Sequence, residues 1–254
     1  LKLVKSDTYL RPYAEAIEGR YNYALKREKE LTGGKKLSEW ANGYMYFGLH
    51  KVEGEVSKVE SRKLKGKAQW VLREWAPNAT AIYMIGDFNN WQKDEAYRLQ
   101  PVGNGVWEVV LEEDMIKHEQ LYKLLVEWYG GAGERIPSYT NRVVQDPVTK
   151  LFAAQVWSAA PVEGSNGSKG SKSFKGFKRR KADDPLFIYE CHIGMSSEEE
   201  KVNSYEEFRI YILPRIAKLG YNCLQIMAIQ EHPYYGSFGY HVSNFFAVSS
   251  RCGT

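Results

Sequence analysis

The sequence predicts a multi-domain protein with an N-terminal helical segment, an immunoglobulin-like β-sandwich and a strand-helix-strand (βαβ) unit. Three observations support this prediction. Apolar residues follow a helical period near the N-terminus, they alternate with a period of two from residue 66 to residue 156, and two apolar runs flank a capped helix after residue 186. With 254 residues and 43% hydrophobic content, the chain is long enough for more than one globular domain.

Residues 1–49 form the predicted N-terminal helical segment. Pro12 stands near the start of its first helix, and Gly33 and Gly34 end it. Apolar side chains recur on one stripe of that helix: Tyr13, Ala16, Ile17, Tyr21, Ala24 and Leu25. We assign this segment no chemistry.

Residues 66–156 form the predicted β-sandwich. Turn residues at Ala76-Pro77-Asn78 and at Gly86-Asp87 separate short strands. Two later strands alternate apolar and polar residues, with Trp107, Val109 and Leu111 in one and Tyr122, Leu124, Val126 and Trp128 in the other. The spacing is typical of an immunoglobulin-like architecture of about a hundred residues.

Residues 157–185 form a predicted basic and flexible linker, rich in Gly and Ser in its first half. One stretch of it contains no acidic residue and seven basic ones: Lys169, Lys172, Lys175, Lys178, Arg179, Arg180 and Lys181. The whole chain has a formal charge of +4, and without these seven residues the charge is −3. The folded body is therefore not basic, which argues against a nucleic-acid partner.

Residues 186–254 form the predicted βαβ unit. The first strand covers Leu186 to Ile193 and reads as buried on both faces, as does the second, from Cys223 to Ile229. Between them a capping box at Ser204 begins a helix that Pro214 is expected to kink. Two strands joined by one helix predict a parallel, right-handed crossover.

Glu190 lies inside the first of these apolar strands. A buried carboxylate needs a partner, and His192 and Arg215 are the candidates. Because such a partner explains the residue, we do not assign it a catalytic role.

An aromatic loop follows the second strand, from Glu231 to His241, where α/β folds build their sites. Sugar rings have apolar faces that stack on aromatic side chains and hydroxyls that bond to His or Asn. The candidate sugar-binding residues are Tyr235, Tyr240, His241 and Asn244. The alternative is that these rings pack beneath the loop as core.

Cysteine and histidine usage predicts neither a disulfide framework nor a metal site. The three cysteines have no C-x-x-C spacing and cannot all pair, and the five histidines are scattered. The sequence contains no apolar run long enough to span a bilayer and no signal-peptide pattern at its N-terminus. We therefore expect a soluble, cytoplasmic protein.

Six short runs of the C-terminal part carry a family resemblance: Tyr189–Met195, Leu213–Ile216, Gln225–Ile229, Tyr234–Val242, Asn244–Ala247 and Ser249–Arg251. Together they closely resemble the 1,4-α-glucan branching enzymes, which are (β/α)8 barrels of the α-amylase superfamily. The resemblance implies that residues 186–254 are the truncated start of such a barrel and that Tyr240 stacks under the sugar at the cleaved bond. It also implies an α-glucan partner (glycogen, amylose or starch), no cofactor, and a plastid location if the source is a plant.

A further resemblance covers the sandwich. Arg73–Ala79 followed by Gly86–Trp91 is similar to the glycogen-binding carbohydrate module that precedes the barrel in these enzymes. The resemblance implies that Trp91 stacks on glucose and that Lys123 donates hydrogen bonds to its hydroxyls. Binding members carry a second stacking Trp where this sequence has Gly130–Gly133, and either Trp128 or Tyr129 could replace it.

The catalytic carboxylates of the resembled family have no counterpart in this chain. Retaining glycosyl transfer needs two closely spaced carboxyl groups. We therefore predict the N-terminal part of a branching enzyme, inactive as given, with the remaining barrel segment as a partner. The alternatives are a stand-alone α-glucan-binding or regulatory module and a debranching relative.

Overall fold

The computed structural model describes residues 1–53, 68–158 and 185–254. The chain divides into two compact units, Leu1–Tyr46 and Phe47–Thr254, and each is considered by itself. The predicted linker, residues 157–185, lies outside the described residues except at its two ends.

The first unit is helical, as the sequence predicts. Its α-helices are α1 (Lys2–Ser6), α2 (Ala14–Thr32) and α3 (Leu37–Trp40), and 3-10 turns cover Thr8–Tyr13 and Gly43–Met45. Pro12 lies in the first 3-10 turn, just before the long helix α2. Gly33 ends that helix with a left-handed φ of 62°, which glycine adopts without steric cost.

A sandwich-like domain with one curled sheet forms most of the second unit. Its strands are β1 (Gly48–Glu53), β2 (Ala68–Trp75), β3 (Ala79–Gly86), β4 (Arg98–Gly103), β5 (Val106–Glu112), β6 (Leu121–Trp128), β7 (Gly131–Arg135), β8 (Val143–Gln145) and β9 (Phe152–Gln155). The hydrogen-bonded order is β1-β2-β5-β4-β3-β6-β9-β8, and β7 also pairs with β6. All of these pairs are antiparallel.

The predicted alternation places the core residues of this domain correctly. Trp107, Val109 and Leu111 of β5 and Tyr122 and Leu124 of β6 are buried in one hydrophobic cluster. Burying an aliphatic or aromatic side chain of this kind contributes about 1.5–3 kcal/mol to stability. The first strand, β1, was not predicted, because its sequence shows no alternation and it forms by pairing with β2.

The remaining residues of the second unit contain the predicted parallel pair. Its elements are β10 (Ile188–Cys191), α4 (Tyr205–Glu207), α5 (Leu213–Lys218), β11 (Cys223–Ile226), β12 (Gln230–Glu231) and β13 (Asn244–Val248). Strands β10 and β11 are parallel, and β12 and β13 are antiparallel. The Ser204 side chain caps the helix as predicted, and a π-helical turn at Phe208–Ile212 stands where Pro214 was expected to cause a kink.

The prediction that both parallel strands are buried on both faces is wrong. Both strands are shorter than predicted, Leu186, Phe187 and Ile188 are exposed, and β11 is only partly buried. Among the described residues β10 and β11 form a two-stranded sheet, so each strand has one hydrogen-bonded neighbour.

The prediction that Glu190 is buried is also wrong. Its side chain is exposed, and its Oε1 accepts a hydrogen bond of 2.9 Å from Nε2 of Gln225 on the neighbouring strand. The carboxylate is therefore hydrated and needs neither His192 nor Arg215 as a partner.

Candidate functional site

A tight turn after β3 holds Trp91 in place. Asn90 and Trp91 have φ values of 53° and 59°, a left-handed conformation that is uncommon for a residue with a large side chain. Asp87 stabilises this turn by accepting two hydrogen bonds, one of 3.0 Å from Trp91 Nε1 and one of 2.7 Å from the Leu121 backbone N–H. The indole is therefore fixed in orientation before any ligand binds.

Gly86 is required at the start of this turn. A Cβ atom at this position would lie 2.3 Å from the Leu121 carbonyl oxygen and 2.8 Å from the Phe88 ring. The close approach of these segments brings Asp87 to the backbone of β6.

The indole of Trp91 packs on the outer face of the sheet and not in the main core. It contacts a small buried cluster of Ala81, Tyr83 and Ile85, together with Leu125. The Lys123 Nζ lies 5.9 Å from the centroid of the Trp91 ring, within the range of a cation–π contact. The structure thus brings together the two predicted sugar-binding residues of the sandwich.

Several charged residues around this surface were not identified from the sequence. Glu134 Oε2 lies 2.9 Å from Lys123 Nζ, and Glu127 Oε1 lies 2.6 Å from Lys93 Nζ. The hydrogen bond that Lys93 donates to Glu127 favours the charged amine and raises the pKa of Lys93. Only the strand pairing could have revealed these partners, because they are far apart in sequence.

Trp128 does not take the place of a second ring beside Trp91. Along β6, Tyr122, Leu124 and Val126 face the main core, whereas Leu125 contacts the outer cluster. Trp128 has the parity of the core-facing set, so it lies on the opposite face of the strand from Lys123. Tyr129 also lies away from Lys123. It follows the end of β6 that pairs with Ala79, whereas Lys123 pairs with Ile85 at the other end.

The second candidate site is the aromatic loop between β12 and β13. Tyr240 is 68% exposed, and its hydroxyl lies 3.7 Å from the Met227 sulfur, just after the carboxyl end of β11. His241 beside it is exposed as well. Both predicted residues can therefore reach a ligand from solution.

The other two predicted residues of this loop point elsewhere. Tyr235 is partly buried near Gly194, and burial raises the pKa of its hydroxyl. Asn244 is buried on β13, in register with Glu231. The alternative that the rings pack beneath the loop thus describes Tyr235 but not Tyr240.

Buried polar contacts anchor the loop at its base. The side chain of Glu231 is fully buried and accepts hydrogen bonds from the backbone N–H groups of His232, at 3.0 Å, and Ser250, at 2.7 Å. Arg251 donates a hydrogen bond of 2.8 Å to the Pro233 carbonyl. The sequence analysis assigned these residues no role, although an acidic residue ending an apolar strand was a usable signal.

The loop region also contacts the sandwich. The rings of Tyr139 and Phe246 are stacked with centroids 4.4 Å apart, and Arg142 Nη1 donates to the Gly253 carbonyl at 3.3 Å. The side chain of Gln145 lies 3.4 Å from Arg251 Nη2. These contacts support the base of the loop from the β8 side of the sheet.

Within residues 1–53, 68–158 and 185–254, no group of three His, Cys, Asp or Glu side chains is arranged to hold a metal ion. The helices in these ranges include none with the length and apolar character needed to cross a membrane.

Comparison with known proteins identifies the sandwich and relates nearly the whole chain to one group of proteins. Residues 48–149 match the family described as Carbohydrate-binding module 48 (Isoamylase N-terminal domain). The 1,4-alpha-glucan-branching enzyme of Emericella nidulans is 38% identical over 99% of this chain and 34% of its own length. The Dictyostelium discoideum 1,4-alpha-glucan-branching enzyme is 34% identical over 100% of this chain and 35% of its own length.

A plant relative and two solved structures extend this comparison. The 1,4-alpha-glucan-branching enzyme 2-2, chloroplastic/amyloplastic, of Arabidopsis thaliana is 37% identical over 100% of this chain and 29% of its own length. The catalytic module of the glycogen-degrading pneumococcal virulence factor SpuA has a TM-score of 0.54 at 16% identity, covering 89% of this chain and 34% of that one. The pullulanase from Bacillus acidopullulyticus has a TM-score of 0.54 at 14% identity, covering 82% of this chain and 25% of the pullulanase chain. These two structures show a shared fold alone, and the chain spans about a third of the length of its curated relatives.

Proposed function

Because this chain is a homologue of the 1,4-alpha-glucan-branching enzymes and contains a carbohydrate-binding module 48 domain, we propose that it is the N-terminal part of such an enzyme. The whole protein would cleave α-1,4 links of a glucan and re-form them as α-1,6 branches by retaining glycosyl transfer. Its substrate would be glycogen, amylose or starch, and its compartment the cytoplasm, or the plastid in a plant.

One observation supports this proposal best: the exposed ring of Tyr240 at the carboxyl end of a parallel strand. Active sites of (β/α)8 enzymes are built from the loops at this end of their strands. We propose that β10, the helix and β11 are the first βαβ unit of such a barrel, and that the curled sheet is an immunoglobulin-like sandwich preceding it. The catalytic carboxylates would come from later strands of the barrel.

The sugar contacts follow from this assignment. Trp91 would stack on a glucose ring held by the sandwich, and Lys123 would donate hydrogen bonds to its hydroxyls. Tyr240 would stack under the glucose at the cleaved link, with His241 as a hydrogen-bonding neighbour. Tyr235 and Asn244 would shape the loop from inside, since both are turned away from solvent.

The proposal is tested by giving this chain amylose and separately passing it over immobilised glycogen. We expect no branch points and no change in iodine absorbance, because retaining transfer needs two carboxyl groups that this chain does not supply. We also expect retention on glycogen and none on a dextran gel. Branch formation by this chain, or equal retention on both gels, would contradict the proposal.

Substitution of Asp87 tests whether the fixed orientation of Trp91 contributes to binding. Asp87→Ala removes the acceptor of the indole N–H and of the Leu121 N–H. We expect glycogen affinity to fall about fivefold and stability to fall by about 1–2 kcal/mol, because each lost hydrogen bond contributes about 1 kcal/mol. Affinity by gel retention and stability by urea unfolding are the measurements.

The matched control for this substitution is Asp94→Ala. Asp94 is exposed and its carboxylate also accepts a backbone hydrogen bond, but from Ala96 and not from the Trp91 indole, whose N–H donates to Asp87. Equal losses of glycogen affinity in both variants would show that Asp87 acts only through general stability.

The stand-alone glucan-binding module remains the second candidate. It is favoured by the described sandwich, which has nine strands and its own hydrophobic core, whereas the parallel sheet has two strands among the described residues. The two candidates differ when the chain is mixed with a separately produced remainder of a related enzyme. Recovery of branching in the mixture would support the enzyme, and retention without any recovery would support the module.

A further inference from the structure

The indole of Trp128 lies against the two glycines of β7, Gly131 and Gly133. A Cβ atom at Gly131 would lie 3.1–3.2 Å from three atoms of the indole, and one at Gly133 would lie 3.2 Å from its far edge. Similar distances at both ends of the ring mean that its plane runs parallel to β7. One face of the indole therefore rests on the glycine backbone, and the side chain as a whole remains 37% exposed.

The N–H of this indole is not used within the described part of the sandwich. Trp75 donates its Nε1 hydrogen to the Asn104 carbonyl, Trp91 to Asp87 and Trp107 to the Ala76 carbonyl. No such bond is found for Trp128 among the described residues. This N–H group therefore has no acceptor within the described part of the protein, while the ring is held against β7.

The guanidinium of Arg135 lies over the Trp128 ring. The guanidinium carbon of Arg135 lies 5.6 Å from the centroid of the Trp128 ring, and Arg135 Nη1 donates to the Glu134 carbonyl, which fixes the position of this side chain. A flat apolar surface rimmed by N–H donors matches the face and hydroxyl edge of a pyranose ring.

We propose that Trp128 and Arg135 form a second α-glucan-binding platform, on the opposite face of β6 from Trp91 and Lys123. The choice of α-glucan as ligand rests on the proposed function, but the platform does not depend on the Trp91 surface. Two sites on opposite faces of one strand cannot hold the same short segment of glucan. They would engage separate chains of a branched polymer and raise the affinity for glycogen through multivalency.

The test compares Trp91→Ala, Trp128→Ala and the double variant by calorimetry with maltoheptaose and by retention on immobilised glycogen. We expect two sites per wild-type chain, one in each single variant and none in the double variant. Glycogen affinity should fall about fivefold in Trp128→Ala, the loss expected for one stacked ring. The matched control is Tyr129→Ala, which removes an adjacent ring that is 97% exposed and should change affinity by less than about twofold.

Gly131→Val protects the test against misfolding of Trp128→Ala, because a Cβ at this position already lies 3.1–3.2 Å from the indole and a branched side chain must displace the ring, while all aromatic residues are kept. It should remove the same maltoheptaose site. The proposal is overturned if Trp128→Ala and Gly131→Val both keep two sites, or if Trp91→Ala abolishes all binding. If the wild-type chain has a single site and Trp128→Ala removes it, the Trp128 platform is supported and the proposed role of Trp91 is wrong.

Discussion

Replacement of Trp91 by alanine is expected to weaken the affinity of the chain for glycogen about twentyfold, close to 2 kcal/mol of binding free energy. The ring is fixed by Asp87, lies on a buried cluster and has the Lys123 amine 5.9 Å from its centroid. A preformed aromatic surface loses little side-chain entropy on binding, so its removal costs most of the stacking energy. Retention on immobilised glycogen gives the affinity.

Two further variants separate stacking from folding. Trp91→Phe keeps a smaller ring and should recover part of the affinity, whereas Trp75→Phe changes an exposed indole at the other end of the sandwich and should have little effect. The urea midpoint of each variant shows whether the fold persists. If the Trp91→Ala protein is folded and is retained on glycogen like the wild type, Trp91 does not contribute to the binding site.

Glu108→Ala is expected to reduce the free energy of unfolding by about 3–5 kcal/mol, the largest stability effect that we predict. Glu108 on β5 lies opposite Arg73 on β2, with Oε2 2.6 Å from the Arg73 Nε, and both side chains are buried. Removing the carboxylate leaves the charge of the buried guanidinium without this counter-charge, in a medium where desolvation is costly. Urea unfolding followed by fluorescence measures the loss.

The control is Glu112→Ala, at the exposed end of the same strand. We expect a change within about 0.5 kcal/mol there, since surface substitutions away from special features are close to neutral. Glu108→Gln keeps an acceptor and should lose less than Glu108→Ala. If Glu108→Ala and Glu112→Ala are equally stable, the buried ion pair does not contribute to the fold.

Much of the fold could be predicted because its signals are local. The alternation along Trp107–Leu111 and Tyr122–Trp128 indicated which side chains face the core, and the capping box at Ser204 located the start of a helix. Each signal involves residues a few positions apart, so a linear pattern is enough to reveal it.

The candidate site was only partly predictable, because it depends on partners that are distant in sequence. Asp87 reaches Leu121 and Lys123 reaches Glu134 across strand pairs that no local pattern specifies. The exposure of Glu190 and of Leu186 also escaped prediction. Burial depends on which elements pack over a strand, and an apolar run carries no information about them.

Residue order alone was sufficient to establish the helical segment, the sandwich, the parallel strand pair and the resemblance to glucan-branching enzymes. The packing of distant segments decided the rest: that Tyr240 is open and Tyr235 is not, that Trp91 and Lys123 share one face, and that Trp128 lies on the other. The physical reason is the separation in sequence between the residues that interact. Periodicity and capping act over a few residues, whereas exposure, orientation and charge pairing are set by contacts between elements that the fold brings together.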